Sequence, residues 1–112
     1  MDIELWKKNI KEAVKDIADK NFQEEVWLHE TNIVSSPVEV YCTLFDDFSF
    51  PNFLEEKEAN LTNEQKVAGR KLIDALDRYS PPGEELPPPE QMVHDPKWHK
   101  VRAVAQDFLN TL

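Results

Sequence analysis

Apolar residues recur at three- and four-residue spacing through most of this chain, the signature of amphipathic helices. Ile3, Trp6, Ile10, Ala13, Val14 and Ile17 form one such stripe, and Asp2 stands where its N-cap belongs. Its polar face carries Lys7, Lys8, Lys11 and Lys15 with Glu12 and Asp16. Asn21 followed three residues later by Glu24 reads as a capping box. It predicts a short helix to about Leu28 that buries Phe22, Val26 and Trp27. Ser36-Pro37-Val38-Glu39 is a sharper start signal, with serine as cap, proline first and glutamate third. The run after it, from Val38 to Phe45, is rich in β-branched and aromatic residues, which favour strands. The start signal decides for a helix, with Val38, Tyr41, Leu44, Phe45 and Phe48 as its stripe and Pro51 ending or bending it.

Two further helices follow. Thr62 and Gln65 form a capping box that opens a helix to about Tyr79, expected to bury Val67, Ala68, Leu72, Ala75, Leu76 and Tyr79. Asp95-Pro96 opens the last, with Trp98, Val101, Ala105, Phe108 and Leu112 as its stripe. Between them, Ser80 to Pro89 contains two proline clusters that exclude regular structure and favour the extended polyproline form. Only Gly69 and Gly83 occur, too few for strand hairpins. The expectation is an all-α chain: an irregular bundle of four to five amphipathic helices, one domain over 1–112, with a proline-rich connection at about 80–94.

Composition sharpens this. At 112 residues and 40% hydrophobic, the chain can bury roughly two-thirds of its unfolded surface. Twenty-two acids against thirteen Lys and Arg give a net charge of −9, which argues against nucleic acid as a partner. No apolar run is long enough to span a membrane, and Met1 to Trp6 lacks an apolar signal core. The single cysteine, Cys42, cannot form an internal disulfide. A reduced, cytoplasmic setting is expected. The charge is unevenly placed. Residues 1–20 hold five acids and five lysines, and residues 62–112 hold eight acids and seven bases. Residues 21–61 hold nine acids and one base, Lys57, for a net of −8.

No constellation for catalysis stands out, and no cofactor is implied. There is no glycine-rich phosphate loop, no nucleophile elbow and no paired cysteine for zinc. His94 and His99 flank Asp95 without any tested ligand spacing, and His29 stands alone. Cys42 reads as a small buried hydrophobe, its neighbours Glu39, Asp46 and Asp47 disfavouring a thiolate. The segment from Leu44 to Phe53 is different: four phenylalanines interleave with Asp46 and Asp47. In the last turn of a helix these acids oppose its dipole, at a cost of about 0.3–1 kcal/mol each. A local rule broken in this way marks either function or internal compensation, here by Arg70, Arg78 or Arg102. Glu55, Glu56 and Glu58 read as a solvated charge run, and the three tryptophans as core or boundary residues.

Several short motifs together resemble a family of small, acidic, uncharacterised bacterial proteins. They are Val26-Trp27, Leu44-Phe45-Asp46-Asp47, Ala75-Leu76-Asp77, Asp95-Pro96-x-Trp98-x-x-Val101 and Ala105-x-x-x-Leu109. The resemblance covers most of the chain, though residues 80–89 are richer in proline than the pattern. It implies an immunity- or antitoxin-like protein by size and acidity. The expected function is therefore non-enzymatic binding. Asp46, Asp47, Glu55 and Glu56 would supply charge, and Phe48, Phe50 and Phe53 anchors, toward a protein with a basic surface. Competing expectations are a small metal-dependent enzyme using Asp46, Asp47 and a histidine, and a helical adaptor subunit that binds through Trp and Phe.

Overall fold

A computed structural model describes residues 2–29, 35–81 and 83–112. Met1, Glu30 of the acidic segment and Pro82 of the proline run lie outside the described residues. The described residues are all-α, without a strand. They form seven α-helices, where the periodicity predicted four or five: α1 Ile3–Ala18, α2 Lys20–Trp27, α3 Pro37–Cys42, α4 Phe50–Glu55, α5 Asn63–Tyr79, α6 Pro89–Val93 and α7 Pro96–Asn110. The two additions, α4 and α6, are single-turn helices opened by prolines that had been read as breakers. Proline in the first turn forfeits no hydrogen bond, so it starts a helix as readily as it stops one. α6 also shortens the proline-rich connection, whose last irregular residue is Pro88, in the polyproline conformation.

The caps explain why the other helices begin where they do. The Asp2 carboxylate accepts from the Leu5 amide, and Ser36 Oγ accepts from the Glu39 amide with Pro37 in the first turn. Thr62 and Gln65 form the reciprocal capping box, and the Asp95 carboxylate accepts from the Lys97 amide. For α2 the cap is Asp19, whose carboxylate accepts from the Phe22 amide, and Asn21 lies inside the helix. One residue of extended backbone at Asp19 thus breaks α1 from α2.

α1 and α5 both pack on α7, with α2 and α6 at one end. The Cα radius of gyration is 13.7 Å, near the roughly 13 Å of a compact chain this long. The buried side chains form one cluster. The α5 stripe is rotated from expectation: Gly69, Leu72, Ile73 and Leu76 face inward, while Val67 is 54% exposed. Gly69 is needed there because a Cβ would stand 2.6 Å from a methyl of the buried Leu54. α4 thereby approaches α5 closely.

One polar network lies inside this core. Gln23, fully buried, accepts at Oε1 from Trp98 Nε1 (3.0 Å) and Arg102 Nε (2.8 Å). Its Nε2 donates to the carbonyls of Asp16 (2.8 Å) and Ile17 (2.7 Å). Arg102, 5% exposed, also donates from Nη2 to the Val93 carbonyl (2.6 Å). Burial pulls its guanidinium below its ordinary pKa, and the charges of Glu24 and Tyr79 pull it back up. The side-chain donors and acceptors of Gln23 are all used, so α1, α2 and α7 meet at a single side chain, and Arg102 extends the network to α6. Gln23→Leu should cost about 3–5 kcal/mol in urea unfolding, because it strands a buried charge and an indole N–H. Arg102→Met should cost less in that background than alone, with a coupling of about 1–3 kcal/mol. Strictly additive losses would mean the network is not a unit.

Candidate functional site

Beyond Cys42 the α3 helix does not end but widens. Thr43–Asp47 is a π-helical turn, closed by the Phe48 amide donating to the Thr43 carbonyl at 3.0 Å. The extra residue per turn shifts every later side chain around the axis. Val40 and Leu44, four residues apart, make the buried side, while Val38 is 56% exposed and Tyr41 and Phe45 are half-buried. Trp6 Nε1 then donates to the Phe48 carbonyl at 2.6 Å, and Ser49 takes a left-handed conformation (φ 46°). That reversal sends the following aromatics inward. Phe50 packs edge-on against Phe108 (5.3 Å) and Phe53 against Trp6 (5.2 Å), both with no exposed surface.

The predicted partner face is thus divided. Phe50 and Phe53 belong to the core and have no surface to offer a partner, and Phe48 is half-buried. Glu55 pairs with Arg70, and Glu56 caps a 3-10 turn by accepting from the Glu58 amide. Asp46 and Asp47 are exposed, in the last turn as expected, and among the described residues neither has an ion-pair partner. Arg70 is taken by Glu55 and Arg102 by Gln23 and Val93. The opposition of these acids to the helix dipole is therefore left uncompensated among the described residues.

A groove of about 860 Å³ opens between the α3–π segment and the extended chain after α5. Val38, Tyr41, Phe45, Pro81 and Leu86 give it an apolar lining, and Asp46, Asp77, Glu84 and Glu85 ring it with carboxylates. Among the described residues no Lys, Arg or His lines it. Tyr41 holds its wall in place. The phenol donates to the Leu76 carbonyl at 3.0 Å, and the ring stacks on Trp98 at 6.5 Å. Burial, then the charges of Tyr79 and Asp77, push the Tyr41 hydroxyl above its ordinary range, so it stays a donor. Val38, Tyr41, Asp77, Glu84 and Glu85 were not assigned to a partner face from sequence. The exposed valine in a strand-like run was the one signal, and the helical-stripe argument had used it up.

Cys42 is exposed and lines this groove, contrary to its reading as a buried hydrophobe. Local desolvation, then Asp46, Glu39 and Asp47, hold its thiol above the ordinary value. The histidines are exposed, and among the described residues no group of three or more His, Cys, Asp or Glu is placed to hold a metal ion. Nor is any helix there long and apolar enough to cross a membrane.

Comparison of the chain with protein-family models, curated proteins and solved structures finds no match.

A raised thiol pKa means less thiolate at a given pH. Alkylation of Cys42 by iodoacetamide at pH 8 should run slower than in the urea-unfolded chain. Asp46→Asn should speed it and move the rate profile to lower pH. A rate indifferent to that substitution would show that Asp46 does not act on the thiol.

Proposed function

We propose that this chain is a non-enzymatic cytoplasmic binding protein whose acid-rimmed apolar groove docks on a basic segment of a partner protein. It would act as an immunity- or antitoxin-type inhibitor that covers a functional basic surface. One observation carries the proposal: among the described residues, four carboxylates and no cation line an apolar floor that includes an exposed valine. Apolar surface of this kind gains from burial, and the charge ring selects what may bury it. Asp46 and Asp47 support the same view, since a partner's Lys or Arg would supply the compensation that their helix lacks. The partner face thus keeps Asp46 and Asp47 and exchanges the phenylalanine anchors for Val38, Tyr41 and Phe45.

The test uses three synthetic peptides with one apolar pattern and lysine, serine or glutamate at the polar positions. The lysine peptide should bind, by fluorescence anisotropy, and weaken steeply between about 50 and 200 mM salt. The other two should not. Asp46→Lys with Asp77→Lys should lower its affinity about tenfold or more, equal to about 1.4 kcal/mol, with the circular dichroism spectrum unchanged. Equal binding of all three peptides, or affinity indifferent to salt and to the substitutions, would refute the proposal.

A further inference from the structure

The strap from α5 to α6 turns where the Glu84 amide donates to the Pro81 carbonyl (3.1 Å), and a second cleft lies where it reaches Pro87. This one holds about 450 Å³, floored by Ala75, Tyr79, Pro87 and Val101. Three exposed cations line it: Arg78, Lys97 and Lys100. Its one carboxylate, Asp95, is already engaged. Oδ2 accepts from the Tyr79 hydroxyl (3.0 Å) and Oδ1 from the Lys97 amide (2.9 Å). None of the three cations belongs to an ion pair found among the described residues.

Residues 62–112 look nearly balanced in a count, with eight acids and seven bases. Around this strap the signs are sorted. Asp77 and Arg78 are consecutive, about 100° apart on the last turns of α5, and they line opposite clefts. The placement also breaks the dipole rule twice, in mirror fashion. Asp46 and Asp47 sit at the C-terminal end of a helical run, and Lys97 and Lys100 sit in the first turns of α7. A single strap thus runs beside two apolar-floored clefts of opposite sign; Asp46 in one and Lys97 and Lys100 in the other are unfavourable to their own helices, while Arg78, in the last turn of α5, is favourable to its helix.

We infer that the partner segment is bipolar: a basic amphipathic block fills the acidic groove, and an acidic block continues across the strap onto Arg78, Lys97 and Lys100. This rests on the reading of the groove given above and adds a direction to it. A surface of one sign attracts a basic segment in either orientation. A surface of two signs fixes the register, because the reversed segment would face like charge on both sides.

The experiment compares the lysine peptide alone with two extensions of it, one with three glutamates after the basic block and one with three before it. One extended peptide should bind about tenfold tighter than the basic block alone, and the other should gain nothing. Lys97→Glu with Lys100→Glu should erase that gain without weakening the basic block itself. Arg78→Glu, on the other helix, should act in the same direction. If the basic block binds and neither extension improves it, or if the gain survives these substitutions, the bipolar partner is wrong and the groove stands. If neither the basic block nor the extensions bind, the groove reading falls as well.

Discussion

The buried amide of Gln23 is the point on which the fold depends. It is the acceptor for an indole and a guanidinium that lie 75 and 79 residues away in sequence, and the donor to two carbonyls at the end of α1. A charged guanidinium in a core is costly unless every donor is met. Here Gln23 Oε1 accepts from Nε and the Val93 carbonyl from Nη2, two of the five donors, and no carboxylate is among the acceptors. The same bonds orient Trp98, and Trp98 is the ring about which Trp27 (6.2 Å), Tyr41 (6.5 Å) and Tyr79 (5.0 Å) gather.

From that ring the groove follows. Tyr41 lies on Trp98 and reaches the Leu76 carbonyl, which ties α3 to the last turns of α5. Tyr79 lies on the same indole and donates to Asp95, so the strap leaves α5 and returns to α7 from two points anchored on one residue. The strap's path is limited at Pro81, Pro87 and Pro88, whose rings fix φ, and it turns at Gly83, whose φ of 87° suits glycine. If a partner segment docks here, as proposed, the charges around the two clefts select it. Among the described residues none of those charges belongs to an ion pair, whereas Glu55–Arg70 and Lys20–Glu24 are ordinary exposed pairs worth little.

Much of the scaffold was legible in the sequence because its signals are local. Asp2, Ser36-Pro37, Thr62 with Gln65, and Asp95-Pro96 each cap the helix they announced. The site was legible in half. Asp46 and Asp47 stood out by breaking a local rule, and they are exposed and unpaired among the described residues. The phenylalanines after them misled, because their burial is decided by two non-local events. The π turn at Thr43–Asp47 shifts the register, and Ser49 turns the chain next to Phe48, whose carbonyl is held by Trp6, 42 residues away from Phe48. Nothing in the spacing of Phe48, Phe50 and Phe53 encodes either event. Nor could periodicity find Gln23 or Arg102, since polar residues on an apolar face read as exceptions until their partners are known. The sorting of Asp77 from Arg78 was equally hidden, because the strap between them comes from tertiary structure.

The central claim is that the acid-ringed groove, and not the aromatic run after it, is where a basic partner docks. Backbone amide chemical shifts followed during titration with the lysine peptide test this most directly. The account predicts perturbations concentrated at Val38–Asp46 and at residues 77–86, fading as salt is raised. Perturbations centred instead on residues 48–56, or spread evenly along the lysine face of α1, would contradict it.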